Sequence, residues 1–232
     1  MKKIYLTIDD GPTKDTSRKL EVMRKQNLLA TWFCLGANIE QYFDVLVRAV
    51  QEGHTIASHS YEHKVFSELT VEEGIEQIRK TDVLIEKIYE KAGIKLPIKL
   101  FRFPRGDLGA GDSLTKNEHT IAFESELTRL GYKNPKIEGI TYDYWTSKGY
   151  NESIQTYCTF IIPDKSLLLG KDGILKADDV MEAMESEQNG SSLFKGDSVE
   201  IPLFHDFVEL PEVFDMIIER FAKAEVIFML PK

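Results

Sequence analysis

Cysteine is scarce: Cys34 and Cys158 are the only two in 232 residues. Two thiols cannot build a disulfide framework, and Cys34, inside the apolar run Leu28 to Leu35, reads as a small buried hydrophobe. Positive charge is also in deficit. With 29 Lys and Arg against 38 Asp and Glu, the formal charge is −9. That speaks against nucleic acid or an anionic membrane as the main partner, since both need clustered cations. No apolar run approaches the roughly 20 residues that a membrane-spanning helix requires. No repeat, low-complexity tract or linker is present, so one domain over residues 1–232 is the economical expectation. Met1-Lys2-Lys3 leads straight into a strand, leaving no room for a signal peptide. As written, the chain is expected in the cytoplasm, and outside it if the sequence is a trimmed mature form.

Short apolar runs alternate with amphipathic stretches. Ile4, Leu6 and Ile8 alternate as a buried strand stopped by Gly11-Pro12, and a helical pattern with Leu20 and Met23 covers about 13–27. Leu28 to Leu35 reads as a strand buried on both faces. Asn38 is expected to cap a helix containing Ile39, Phe43, Leu46, Val47 and Val50. His54 to Ser58 is a short strand, and Thr70 with Glu73 forms a capping box for a helix reaching about Ala92. Lys99 to Phe103 and Gly139 to Tyr142 read as strands, with a helix over about 117–130 between them. Residues 147–195 are the least legible, with weak strand signals at Thr156 to Ile162 and Ser166 to Leu169 and a helix over about 177–188. Val199 to Phe204 is a strand, Pro211 to Ala222 a helix, and Val226 to Leu230 a last strand. This alternation argues for parallel strands with crossover helices. Polar residues fall at the strands' C-terminal ends: Asp9 and Asp10, His59, Arg102, Asp143 and His205. In α/β barrels that rim is where sites are built, so these six are expected to converge on one mouth. The expected fold is an α/β barrel of TIM-like type, distorted or incomplete, with seven or so parallel strands.

The chemistry centres on His59-Ser60-Tyr61-Glu62-His63. Histidines four apart lie on one helical face, so both imidazoles can reach one metal ion. Asp10 is the expected third ligand, and two imidazoles with one carboxylate form a common hydrolytic metal set. On an extended segment the adjacent aspartates point in alternating directions, leaving Asp9 to act on a metal-bound water as general base. Arg102 is expected to pair with that carboxylate and keep it ionised. His205, across the rim, is placed to protonate the leaving group, with Asp143 or another carboxylate keeping it charged. Tyr144 and Trp145 read equally as core or as a sugar-binding wall. His54 and His119 have no such setting and read as structural or solvated.

These residues, in this order, resemble the polysaccharide deacetylase family, the chitooligosaccharide-deacetylase homology domain. Leu6-Thr7-Ile8-Asp9-Asp10-Gly11-Pro12 is similar to its opening motif, and Ala30 to Gly36 to its second strand. His59 to His63 matches its metal motif, Phe101 to Gly106 resembles its Arg-x-Pro motif, and Val199 to Asp206 its last strand. The resemblance implies a divalent metal, usually zinc (cobalt and nickel are also possible), and removal of N- or O-linked acetyl groups from an amino sugar or glycan. It makes Asp9 the base, Asp10, His59 and His63 the ligands, and His205 the acid. Two departures stand out. Arg105 occupies a position that is usually Tyr, a charge that suggests an acidic substrate. Asp143-Tyr144-Trp145 only approximates the family's fourth motif. The stretch from Asp143 to His205 is also long, and part of it is expected to cover the mouth.

Two other functions stand beside this one. Hydrolysis of a non-sugar amide or ester would use every one of these residues. A sugar-binding protein without catalysis would not require ligands, base, arginine and acid together.

Overall fold

The computed structural model describes residues 2–111 and 116–232. The first apolar segment is two strands, not one. β1 (Lys2–Ile4) pairs with the last strand, β7 (Val226–Phe228), while β2 (Thr7–Gly11) is the middle of a five-stranded parallel sheet. The chain changes neighbours at Tyr5, whose N–H donates to Glu200 O. The sheet has the order β4-β3-β2-β6-β5, with β3 at Thr31–Cys34, β4 at Thr55–Ser58, β5 at Phe160–Ile161 and β6 at Pro202–His205. Beyond β4, single bridges join Ser58 to Phe101 and Phe101 to Gln155. The chain leaving Gln155 then enters β5, so the sheet curls round without a continuous ladder. This is the distorted, incomplete barrel that the sequence pattern predicts.

Register decides which residues share the barrel's interior. Asp9 lies opposite both Phe33 and His205, and Phe33 opposite Ala57. Alternation along each strand then sends Ile8, Trp32, Cys34 and Ile56 outward. They pack against α1 (Thr16–Lys25), α3 (Phe43–Gln51) and α9 (Pro211–Ala222) through Leu20, Leu46, Val50, Phe214 and Ile218. The short α2 (Gly36–Gln41) precedes α3. Asn38 lies inside α2 and does not cap it; its amide is committed elsewhere.

α4 (Val71–Ala92) starts as its sequence requires. Thr70 Oγ1 accepts from Glu73 N, and Glu73 Oε2 accepts from Thr70 N. At the other end Gly93 takes φ 69°, the left-handed cap that glycine adopts without strain. Between α4 and α5 (Glu118–Arg129), Phe66, Phe101, Phe103 and Phe123 meet edge to face under the Arg102 segment.

Four segments differ from expectation. Lys99 to Phe103 is extended but bonds only through isolated bridges. Gly139 to Tyr142 forms no ladder; Val199 N donates to Gly139 O, and the chain turns into α6 (Asp143–Ser147). Ser166 to Leu169 belongs to a helix, α7 (Asp164–Leu169), where leucine's helix propensity prevails over an apolar run too short to reach a sheet edge. Finally, α8 (Ala177–Met184) ends sooner than the pattern suggests.

Candidate metal and active site

Asp9 and Asp10 would face opposite sides of a regular strand. They converge because β2 bulges: Asp9 pairs with Phe33 and Gly11 with Cys34, leaving Asp10 as the extra residue, at φ 67°. That left-handed backbone, uncommon for aspartate, is fixed by neighbours. Leu35 N donates to Gly11 O, and Asn38 Nδ2 donates to Asp10 O at 3.0 Å. The expected alternation of the two carboxylates is therefore corrected: both point into the mouth.

His59 and His63 do not lie on a helix. They stand on a turn in which Ser60 and His63 take φ 68° and 59°. Gly36 and Ala37 N–H groups bind the carbonyls of Ser60 and Tyr61. The approach needs glycine, since a Cβ at position 36 would lie 2.3 Å from Tyr61 Cδ2 and 2.6 Å from Thr81 Oγ1. The turn thus brings the imidazoles together by tertiary contact, with ring centroids 5.1 Å apart.

Asp10 Oδ1 lies 3.4 Å from His59 Nε2 and 3.3 Å from His63 Nε2. Donor atoms around a tetrahedral ion bonded at ~2.0–2.1 Å are themselves about 3.3 Å apart. His59 Nδ1 lies 2.7 Å from Arg102 O, so in the neutral ring it is the donor and Nε2 carries a lone pair. Asp10 Oδ1 is buried and has no hydrogen-bond partner. A buried carboxylate oxygen facing two imidazole nitrogens calls for a cation, so the three residues fit one metal ion. At His63, burial lowers the pKa and prevails over the opposing charge of Asp10, favouring the neutral, ligating ring.

Arg102 joins the ligands to the second carboxylate. Its side chain donates through Nη1 to Asp9 Oδ1 at 2.6 Å and Thr7 Oγ1 at 3.0 Å, and through Nε to Thr156 O at 2.8 Å. The guanidinium lies over the Phe33 ring, 4.1 Å from its centroid. Asp9 and Arg102 are both nearly fully buried, so each has its charge partner in the other.

On the other side, His205 ends β6 beside Asp9. Asp164, the first residue of α7, grips it twice: Oδ1 is 2.8 Å from Nδ1, and Oδ2 accepts the His205 backbone N–H at 2.6 Å. Burial disfavours the charged imidazole, but the hydrogen bond and charge of Asp164, with Asp10 and Asp9 behind it, raise its pKa. Asp143 does not do this. It is exposed at the start of α6, where no strand carries it to the mouth. For Trp145 the core alternative holds and the substrate-wall one is corrected: it is buried with Ile140, Val199 and Ile201, and its Nε1 donates to Asn151 Oδ1 at 2.6 Å. Tyr144 and Arg105 do border the mouth. Sequence reasoning missed Asp164 and Asn38. For Asp164 a signal exists, since it follows Phe160-Ile161-Ile162-Pro163 just as Asp9 follows Leu6-Thr7-Ile8. His54 is structural: its Nδ1 accepts from Ala30 N and Trp32 Nε1, and burial lowers its pKa to about 4.

The mouth opens into a cleft of about 900 Å³, bordered on one side by parts of residues 148–172 and 188–189. The long segment before His205 thus does wall the site.

The sequence profile of the polysaccharide deacetylase family matches residues 1–124. The chain is 39% identical over 88 residues to the peptidoglycan-N-acetylmuramic acid deacetylase PdaC of Bacillus subtilis (strain 168), a match covering 38% of this chain and 19% of that protein. It is 32% identical over 107 residues to a peptidoglycan-N-acetylglucosamine deacetylase of Bacillus cereus, covering 46% and 37%. These matches take in well under half of each relative's length. Among solved structures, a family 4 carbohydrate esterase from Streptomyces lividans superposes with a TM-score of 0.61 at 23% identity, over 96% of this chain and 86% of that one. That likeness is one of fold.

Proposed function

This chain belongs to the polysaccharide deacetylase family, and from that premise we propose that it is a metal-dependent hydrolase that removes acetyl groups from an acetylated amino sugar or glycan. The observation that carries the reading is the trio Asp10, His59 and His63 flanked by a buried carboxylate, Asp9, and a clamped imidazole, His205. Asp10, His59 and His63 would hold a divalent ion, a donor set that suits zinc, and the bound ion would supply the positive charge that acidifies a water and polarises the acetyl carbonyl. Asp9 takes the proton from the attacking water, and Arg102, bonded to its other face through Oδ1, orients it for that step. His205, with its raised pKa, gives a proton to the departing nitrogen or oxygen as the acyl bond breaks, leaving acetate and the free amine or hydroxyl. Acetate release from N-acetylglucosamine oligomers, by chelator-treated protein with and without zinc, tests this. Release only with metal is expected. Full activity in excess chelator, or no release from any acetylated sugar by protein shown to bind zinc, overturns it.

The acid assignment predicts a pH signature. Asp164→Asn removes the charge that raises the His205 pKa, so that pKa falls. Because the protonated ring is the working form, the alkaline limb of kcat should move to lower pH, and neutral-pH kcat should drop by about 10- to 100-fold. An unchanged limb would leave Asp164 a merely structural partner.

A further inference from the structure

The cleft carries charge of the opposite sign to the chain. The protein has a formal charge of −9, yet Arg105, Lys148, Lys165 and Lys171 border the mouth, and none is in an ion pair among the described residues. Two other cations there are already neutralised, Arg102 by Asp9 and Lys116 by Glu124. Against the four free cations stand only Glu152 and Asp172, and the Asp172 carboxylate accepts from Ser166 Oγ. The contrast is sharpest for arginine. Every other arginine of the chain holds a carboxylate; Arg105 holds none among the described residues.

Two of these cations are built into the site. Arg105 stands on the turn Pro104–Gly106 directly after the segment that supplies Arg102, at φ 57°, and is exposed to the cleft. Lys165 follows the residue that clamps His205, its backbone N–H donating to Asp164 Oδ1 at 2.8 Å, and is half-buried. Also lining the mouth, Lys148 lies over Tyr144, 5.8 Å from its centroid, and Tyr150 stacks on Tyr157 at 3.9 Å. This is an aromatic wall with cations along it, suited to a ring bearing a negative substituent.

We infer that the substrate is an acetylated sugar carrying its own anionic group, a carboxylate or an oxyanion ester, read by Arg105 and Lys165. This rests on the deacetylase reading and narrows its substrate. An acidic cleft lining would repel such a ligand, whereas this one concentrates it against the chain's overall charge.

The test uses zinc-loaded full-length protein and three matched tetramers of N-acetylglucosamine: unmodified, oxidised at C6 to the carboxylate, and sulfated at C6. At low salt the acidic tetramers should exceed the neutral one in kcat/KM by about tenfold or more, and the ratio should shrink as salt approaches 1 M. Lys165→Gln and Arg105→Gln should each reduce the acidic-to-neutral ratio by about three- to tenfold. Preference for one acidic tetramer alone identifies the anion, and supports the inference. Equal kcat/KM for all three, or a ratio indifferent to both substitutions, overturns it while leaving the deacetylase reading intact. Equilibrium binding to the Asp9→Asn protein separates the other failure. Tighter binding of acidic tetramers with no acetate release by the parent protein would sink the deacetylase reading and uphold the anionic ligand.

Discussion

Asp9→Asn should lower kcat/KM by about 10³- to 10⁴-fold, the upper range for loss of a general base, while zinc affinity stays within a few-fold of the parent. The split follows from the geometry. Asp9 Oδ2 is 3.8 Å from His59 Nε2, outside the cluster that Asp10 forms with both imidazoles at 3.3–3.4 Å. Asparagine keeps the shape and one carbonyl oxygen, so Arg102 Nη1 retains an acceptor, and Thr7 Oγ1 and Thr156 O still hold the guanidinium. The variant should fold, with a stability loss below the ~3–5 kcal/mol of a fully broken buried pair. Single-turnover kinetics beside zinc titration measures both halves. Weakened zinc binding in parallel with the rate would make Asp9 a ligand instead of a base.

The residues legible in the sequence are those that a strand end delivers. Asp9, His59 and His205 each terminate a run whose apolar pattern could be read without knowing its partners, and parallel register then brings them to one rim. Asp143 failed for the same reason that the others succeeded. Ile140 and Tyr142 mimic a strand, but they pack on Val199 and Ile201 without entering the sheet, and a missing ladder partner leaves no trace in local sequence. Asp164 was overlooked because a two-residue strand lies near the lower limit of any periodicity argument. The turn chemistry was hidden in another way. Positive φ at Asp10 and Ser60 comes with contacts from Asn38, Leu35 and Gly36, residues that no helical or strand spacing links to the ligands. Reading His59 and His63 as a helical pair anticipates that the two imidazoles meet, but through the wrong local geometry. What joins them is a close backbone approach at Gly36.

That distinction shapes the second large effect. His63→Ala should weaken zinc binding by more than the ~10- to 100-fold typical of losing an outer-shell partner, and turnover should fall with occupancy. His63 reaches Asp10 Oδ1 from a turn, so no neighbouring helical residue can slide in to replace it. With His63 gone, Asp10 Oδ1 keeps only His59 Nε2 opposite it, and two donors leave the ion mostly to water. A thermal-shift series with and without zinc gives a readout independent of turnover. At free zinc of about 10³ times the dissociation constant, the parent gains roughly 4 kcal/mol, a gain the variant should largely lose. Protons supply the matching control. The His63 pKa is lowered, so the ligand stays neutral until the pH falls below the ordinary histidine range, and zinc-dependent stabilisation of the parent should persist to that point and then collapse. Parent-like zinc affinity in His63→Ala would break the assignment of the trio.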